Sequence, residues 1–178
     1  MLEEFAFWPG KCEPVINWDL ADSTRIPTRK GKPFRPDYLR LQLFVEPISR
    51  ITLYIEAVTP EVVRQPYMFV IESANKEPFT VQTFIKAIND LLNSKIPVTI
   101  WRGLSSDERH EVIRAWWRRT KTEAPMTWTT NNDAVIIDGY TKFPVMDLLG
   151  RNVLYLGLGR LKNTPEQSRW LLKTIAKP

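Results

Sequence analysis

Residues 79–94 read FTVQTFIKAINDLLNS, and this stretch decides how the rest of the chain is divided. Val81, Phe84, Ile85, Ile88, Leu91 and Leu92 recur at the spacing that lines one face of an α-helix. Thr80 offers a hydroxyl to cap its first turn. The helix should end near Ser94, because Pro97 excludes helical geometry at Ile96. Upstream, the pattern changes to period two. Tyr38 to Leu43 (YLRLQL) alternates as a half-buried strand would, and Ile51, Leu53, Ile55 and Ala57 alternate more clearly with Thr52, Tyr54 and Glu56. Tyr67 to Ile71 (YMFVI) is a short apolar run between Pro66 and a polar cluster, which predicts a third strand.

Downstream, Val98 to Trp101 reads as a short strand. Ser105 and Glu108 then form a capping box ahead of a second helix. Its apolar stripe is Val112, Ile113, Trp116 and Trp117, and its last turns carry Arg114, Arg118, Arg119 and Lys121, which suit the negative end of a helix dipole. Residues 121–134 are polar and read as a loop. Val135-Ile136-Ile137, the turn dipeptide Asp138-Gly139 and Tyr140 to Val145 predict a hairpin, and Asn152 to Leu158 predicts a further strand. The end of the chain carries two signals. Thr164-Pro165-Glu166-Gln167 resembles a helix start, whereas Trp170, Leu172 and Thr174 alternate with Leu171, Lys173 and Ile175 as in a strand. Strands, two helices and more strands predict an α+β fold: a single compact domain with a mostly antiparallel sheet and about two helices packed on one side.

The charge is localised. The chain of 178 residues has a net charge of +5. Residues 23–36 (STRIPTRKGKPFRP) hold Arg25, Arg29, Lys30, Lys32 and Arg35 with three prolines and no acid, so this one segment accounts for the whole excess. Such a segment buries little apolar surface and is expected to be a solvated arm or long loop. The expected organisation is therefore an aromatic anchoring segment at 1–22 (Phe5, Phe7, Trp8, Trp18), the basic arm at 23–36 and the α+β core at 37–178. Two early glutamates stand where a secretory signal would carry Lys or Arg, and no apolar stretch approaches the length of a membrane span. The expectation is a soluble intracellular protein, cytoplasmic or nuclear, with no membrane partner.

The catalytic inventory is thin. His110 is the only histidine, with Asp107 three residues before it and Arg114 four after. A carboxylate there could orient an imidazole as a general base, but the same spacing describes a surface helix with alternating charges. Cys12 is the only cysteine, so an intramolecular disulfide and a cysteine zinc cluster are both excluded. Nothing near it supplies a base, and a small apolar filler is the better reading. Gly157-Leu158-Gly159-Arg160-Leu161-Lys162-Asn163-Thr164 fits neither the P-loop spacing nor G-x-G-x-x-G. No catalytic residue, cofactor or metal site is assigned.

Taken in order, several short motifs form a pattern: Asn17-Trp18-Asp19, an apolar strand-proline-strand unit from Leu43 to Ile55 with Pro47, Phe79-Thr80-Val81 opening a helix, the charged second helix, Asp147-Leu148-Leu149-Gly150, Gly157-Leu158 and Trp170-Leu171-Leu172. This pattern resembles a large family of uncharacterised fungal proteins, a domain of unknown function, over about residues 14–175. The resemblance implies a terminal strand and carries no activity, cofactor or catalytic residue. Gln82 and Thr83 depart from it where the family tends to place an aspartate, and the long basic arm is not part of the family core.

The sequence therefore points first to a non-enzymatic module for protein interaction or self-association. The possible contacts with a partner or an anion are Arg25, Arg29, Lys30, Lys32, Phe34 and Arg35 on the arm, with Arg114, Trp117, Arg118 and Arg119 on the second helix. An alternative is a nucleic-acid-associated protein, in which the arm neutralises phosphates and Phe34 stacks on a base. A third is an enzyme of unrecognised type relying on carboxylates.

Overall fold

Hydrophobic alternation builds the sheet, and two capped helices close one face of it. The computed structural model describes residues 1–2, 5–6, 16–22, 26–55, 66–121, 136–137, 140–141, 143–150, 153–160 and 169–175. In chain order the elements are β1 (Ile16–Asn17), β2 (Thr28–Arg29), β3 (Lys32–Pro33), α1 (Pro36–Leu39), β4 (Arg50–Ile55), β5 (Tyr67–Glu72), α2 (Val81–Asn93), α3 (Val98–Gly103), α4 (Ser106–Thr120), β6 (Ile136–Ile137), β7 (Tyr140–Thr141), β8 (Leu154–Arg160) and β9 (Arg169–Ile175). The fold is α+β. The main sheet has the order β5-β4-β9-β8, with β4 and β9 parallel and the other pairs antiparallel, so it is mixed.

Period two sets the faces of the sheet. Ile51, Leu53 and Ile55 of β4 point inward and are fully buried, beside Phe69 and Ile71 of β5 and Trp170 and Leu172 of β9. Their neighbours Thr52 and Tyr54 are half-buried, and Met68 and Val70 are exposed. The Thr80 and Thr83 side chains of α2 each accept from the other residue's backbone N–H, which satisfies the first turn. The helix then buries Val81, Phe84, Ile88 and Leu92 in the common core. Each such side chain removed from water contributes on the order of 1.5–3 kcal/mol. Ser94 ends α2, as the proline downstream requires. The carboxylate of Glu108 accepts from the Ser105 backbone N–H at 2.7 Å, which explains why an acidic residue is buried at the start of α4.

Three sequence expectations are corrected. Tyr38 to Leu43 is not a strand: Pro36 occupies the first turn of the short helix α1, and Leu43 and Phe44 are consecutive buried residues that break the alternation. Val98 to Trp101 is helical rather than extended. Pro97 precedes the turn, the Trp101 N–H donates to the Pro97 carbonyl at 3.0 Å, and the indole fills the core. The predicted strand from Tyr140 ends at Thr141. Phe143 is buried, and Val145–Leu149 forms a buried 3-10 helix, held where the Val145 N–H donates to the Ser94 carbonyl at 2.8 Å. The ambiguous end of the chain is the strand β9. The polar run 122–134 lies outside the described residues.

The N-terminal residues fasten the outer edge of β8. Ala6 bridges Leu158 and Asp19 bridges Leu154, while the Tyr155 N–H donates to the Trp18 carbonyl at 2.9 Å. Phe5 and Trp18 are buried around the Tyr155 ring. The Tyr155 hydroxyl donates to the Phe5 carbonyl at 2.9 Å inside the core, and burial pushes its pKa well above the usual range, so it stays protonated to donate. A bulge between Tyr155 and Gly157 lets β8 make this turn, and Gly157 adopts φ 151°, which a side chain would oppose. Tyr155→Phe leaves that buried carbonyl without its donor. It should cost about 1–3 kcal/mol, read as a lower urea midpoint with an unchanged slope.

Candidate functional site

The arm residues form a β-hairpin. β2 pairs with β3 in the register Thr28↔Pro33 and Arg29↔Lys32, and β1 pairs with the other side of β2. Lys30 and Gly31 turn the chain, both with positive φ (50° and 74°), the conformation of a type I′ turn. The glycine takes that conformation without cost, and the twist of such a turn matches that of the two strands. Arg29, Lys30, Lys32 and Arg35 are exposed, the first three at the turn and Arg35 at the start of α1. Arg25 lies outside the described residues, as does Cys12.

Phe34 faces the other way. It is only 9 % exposed, and its ring stacks on Tyr38 at 5.1 Å and on Phe5 at 6.2 Å. The side chain expected to stack on a base instead anchors the hairpin to the core. The signal for this lay in Phe34 being the one aromatic residue among exposed basic and proline neighbours.

The second candidate cluster lies on α4. Arg114, Trp117 and Arg118 are exposed, with Arg114 bonded to Glu111 and Trp117 46 % exposed. His110 is exposed on the same helix. Trp116 points inward and meets Phe143 edge-on at 5.8 Å. Arg119 also turns inward: its Nε and Nη2 donate to the two carboxylate oxygens of Asp147, each at 3.1 Å. The Asp147 side chain is 2 % exposed and that of Arg119 27 %, so this two-pronged ion pair clamps the end of α4 to the 3-10 helix. The paired charges stand 28 residues apart, and only the apolar surroundings of Asp147 in the sequence hint that it needs a partner.

Burial pushes the Asp147 carboxyl above the ordinary carboxylate range, against the opposing pull of its bonds to Arg119 and of the nearby charges of Arg119 and Arg118. A groove of about 170 Å³ lies elsewhere, lined by Phe44, Val45, Glu46, Ile48, Arg160 and Trp170 together with Met1. Among the described residues, no group of three or more His, Cys, Asp or Glu is placed to hold a metal ion, and no helix is long and apolar enough to cross a membrane. Arg160 ends β8, and the rest of the glycine-containing stretch to Thr164 lies outside the described residues.

A family profile matches residues 16–169, from β1 to the first residue of β9. The chain belongs to a family of unknown function (DUF6699). No curated protein and no solved structure matches it. The DUF6699 span takes in the hairpin, α4 and the Arg119–Asp147 clamp, so the basic segment expected to lie outside the family core falls within the family's profile.

The clamp has a pH signature. The folded protein holds the Asp147 proton more tightly than the unfolded chain does, so this group's contribution to stability falls as pH rises from the ordinary carboxylate range through the raised folded value, and is flat above it. Arg119→Ala strands a buried carboxylate and should cost about 3 kcal/mol at neutral pH. The loss should shrink as pH falls and the carboxyl takes up a proton, measurable by urea titrations across an acidic pH series.

Proposed function

We propose that the domain is a non-catalytic protein-interaction module that engages an acidic partner through the hairpin of β2 and β3. The observation that carries this reading is preorganisation. Arg29, Lys30 and Lys32 project from a fixed turn whose base is anchored by Phe34, and Arg35 follows it at the start of α1. A contact built on a rigid turn loses less conformational entropy on binding than one built on a loose arm. The same cations would also attract nucleic acid, but the burial of Phe34 removes the stacking group that a single-strand reader would use. Protein therefore ranks ahead of nucleic acid as the partner.

The test is fluorescence anisotropy with labelled poly-glutamate, single-stranded RNA and duplex DNA, each at about 50 and 200 mM salt. The expected outcome is preferential binding of the acidic polypeptide, weakened at least tenfold when Arg29, Lys30, Lys32 and Arg35 are replaced together by alanine. Tighter, steeply salt-dependent binding of RNA or DNA that is lost in the same variant would give the site to nucleic acid. Absence of binding to all three probes would overturn the reading.

A further inference from the structure

The outward face of the C-terminal half of α4 is a second cationic surface, and it differs from the hairpin in carrying an apolar anchor. The inward side of α4 is fully used: Glu108, Val112 and Ala115 are buried, and Arg119 is bonded to Asp147. Arg109 is used as well. Its guanidinium donates to the Trp101 and Arg102 carbonyls at 3.2 and 3.1 Å and lies 5.8 Å from the Trp101 ring centre. Ile113 and Trp116 pack against the same core, and on the outer side Arg114 is bonded to Glu111. His110, Arg114, Trp117 and Lys121 stand at i, i+4, i+7 and i+11, a single ridge about 16 Å long at 1.5 Å per residue. Arg118 flanks the ridge, and among the described residues neither Arg118 nor Lys121 has an ion-pair partner.

The helix dipole accounts for cations in the last turn, but not for a tryptophan left 46 % exposed among them. Trp and Arg together are the residue types most enriched at the energetic centres of protein interfaces. Lys121 adds a backbone detail: it closes the helix in the left-handed conformation (φ 51°), where glycine is the usual residue.

The charge pattern selects the class of partner. Along the same face the N-terminal half carries Asp107 and Glu111, and the C-terminal half carries Arg114, Arg118 and Lys121. A short helix, two connecting residues and then α4 superficially match a helix-turn-helix. A recognition helix, however, meets base edges with its N-terminal residues, which here include acids that repel phosphate. A polypeptide can confine its carboxylates to the basic half and present an apolar side chain to Trp117.

We infer that the Arg114–Trp117–Arg118–Lys121 surface of α4 docks an acidic polypeptide segment bearing an apolar residue among its carboxylates. This inference rests on the interaction-module reading and adds a second contact surface to it. The test uses the full chain and a fluorescein-labelled synthetic peptide of about a dozen Asp and Glu residues with one central Leu, read by anisotropy. The wild type should bind saturably. The combined Arg114→Gln, Arg118→Gln and Lys121→Gln variant should lose at least about tenfold in affinity, and Trp117→Ala about tenfold, while Trp117→Phe retains most of it. Replacing the peptide's central Leu by Ser should weaken binding to the wild type but not to Trp117→Ala. All four side chains are exposed, so unchanged far-ultraviolet circular dichroism confirms that the variants remain folded.

Wild-type affinity in the α4 variants would overturn the inference. So would duplex DNA binding more tightly than the peptide and being lost in the triple variant. Self-association of the unliganded chain in sedimentation velocity, abolished by Trp117→Ala, would assign the surface to a second copy instead. Peptide binding lost only in the hairpin variant would overturn the α4 site and leave the interaction reading standing. No peptide binding at all would overturn both.

Discussion

The insertion of β9 between β4 and β8 is the constraint on which the rest of the architecture depends. Leu53 lies beside Trp170 in a parallel pair, although more than a hundred residues separate them. β4 and β5 can pair locally as an antiparallel unit. The four-stranded sheet exists only when β9 fills the gap with Trp170 and Leu172 facing inward. The chain from β5 to β8 then forms one long connection between parallel neighbours, and the helices it carries must cover the face that those side chains create. Contacts at such separations place the loop-closure cost before the reward, a characteristic of slow-folding topologies.

Two buried polar groups join separate pieces of chain, and a third caps its own helix. Glu108 serves the start of α4, the Asp147 carboxylate receives the end of the same helix through Arg119, and the Tyr155 hydroxyl ties β8 to the N-terminal residues. The Asp147 and Tyr155 partners come from distant positions, so a shifted packing would leave a buried polar atom unpaired. The core itself is almost wholly aliphatic and aromatic, with Phe84 meeting Phe5 and Phe79 edge-on at about 6 Å, and such contacts tolerate repacking more readily than a buried ion pair does.

Features encoded within a few residues were legible, and those made by distant partners were not. Both long helices announce themselves through caps at Thr80 and Ser105, and β4 through strict alternation. Val98-Thr99-Ile100 has the β-branched composition of a strand, yet the burial of Trp101 and the fixed φ of Pro97 favour a helical turn. The basic segment illustrates the limit for the candidate site. Its charge and prolines suggest a solvated arm, while the Lys30-Gly31 turn and the inward Phe34 make it a hairpin. Its cations were readable, but the direction of the aromatic ring depended on Phe5 and Tyr38, which composition does not locate. Similarly, Arg118 and Arg119 are neighbours in sequence with the same apparent role, and only the position of Asp147 separates a surface cation from an internal clamp.

The N-terminal residues along β8 also guard the fold against its own chemistry. Leu154 to Arg160 would otherwise offer an apolar, glycine-containing edge with backbone donors and acceptors ready to accept a strand from any neighbour. Ala6, Trp18, Asp19 and Leu20 occupy those positions through bridges and backbone bonds. A proteolytic cut that released this segment would remove more than stability. It would expose a nucleus for edge-to-edge polymerisation, so the same few contacts that complete the sheet also determine whether the molecule stays dispersed.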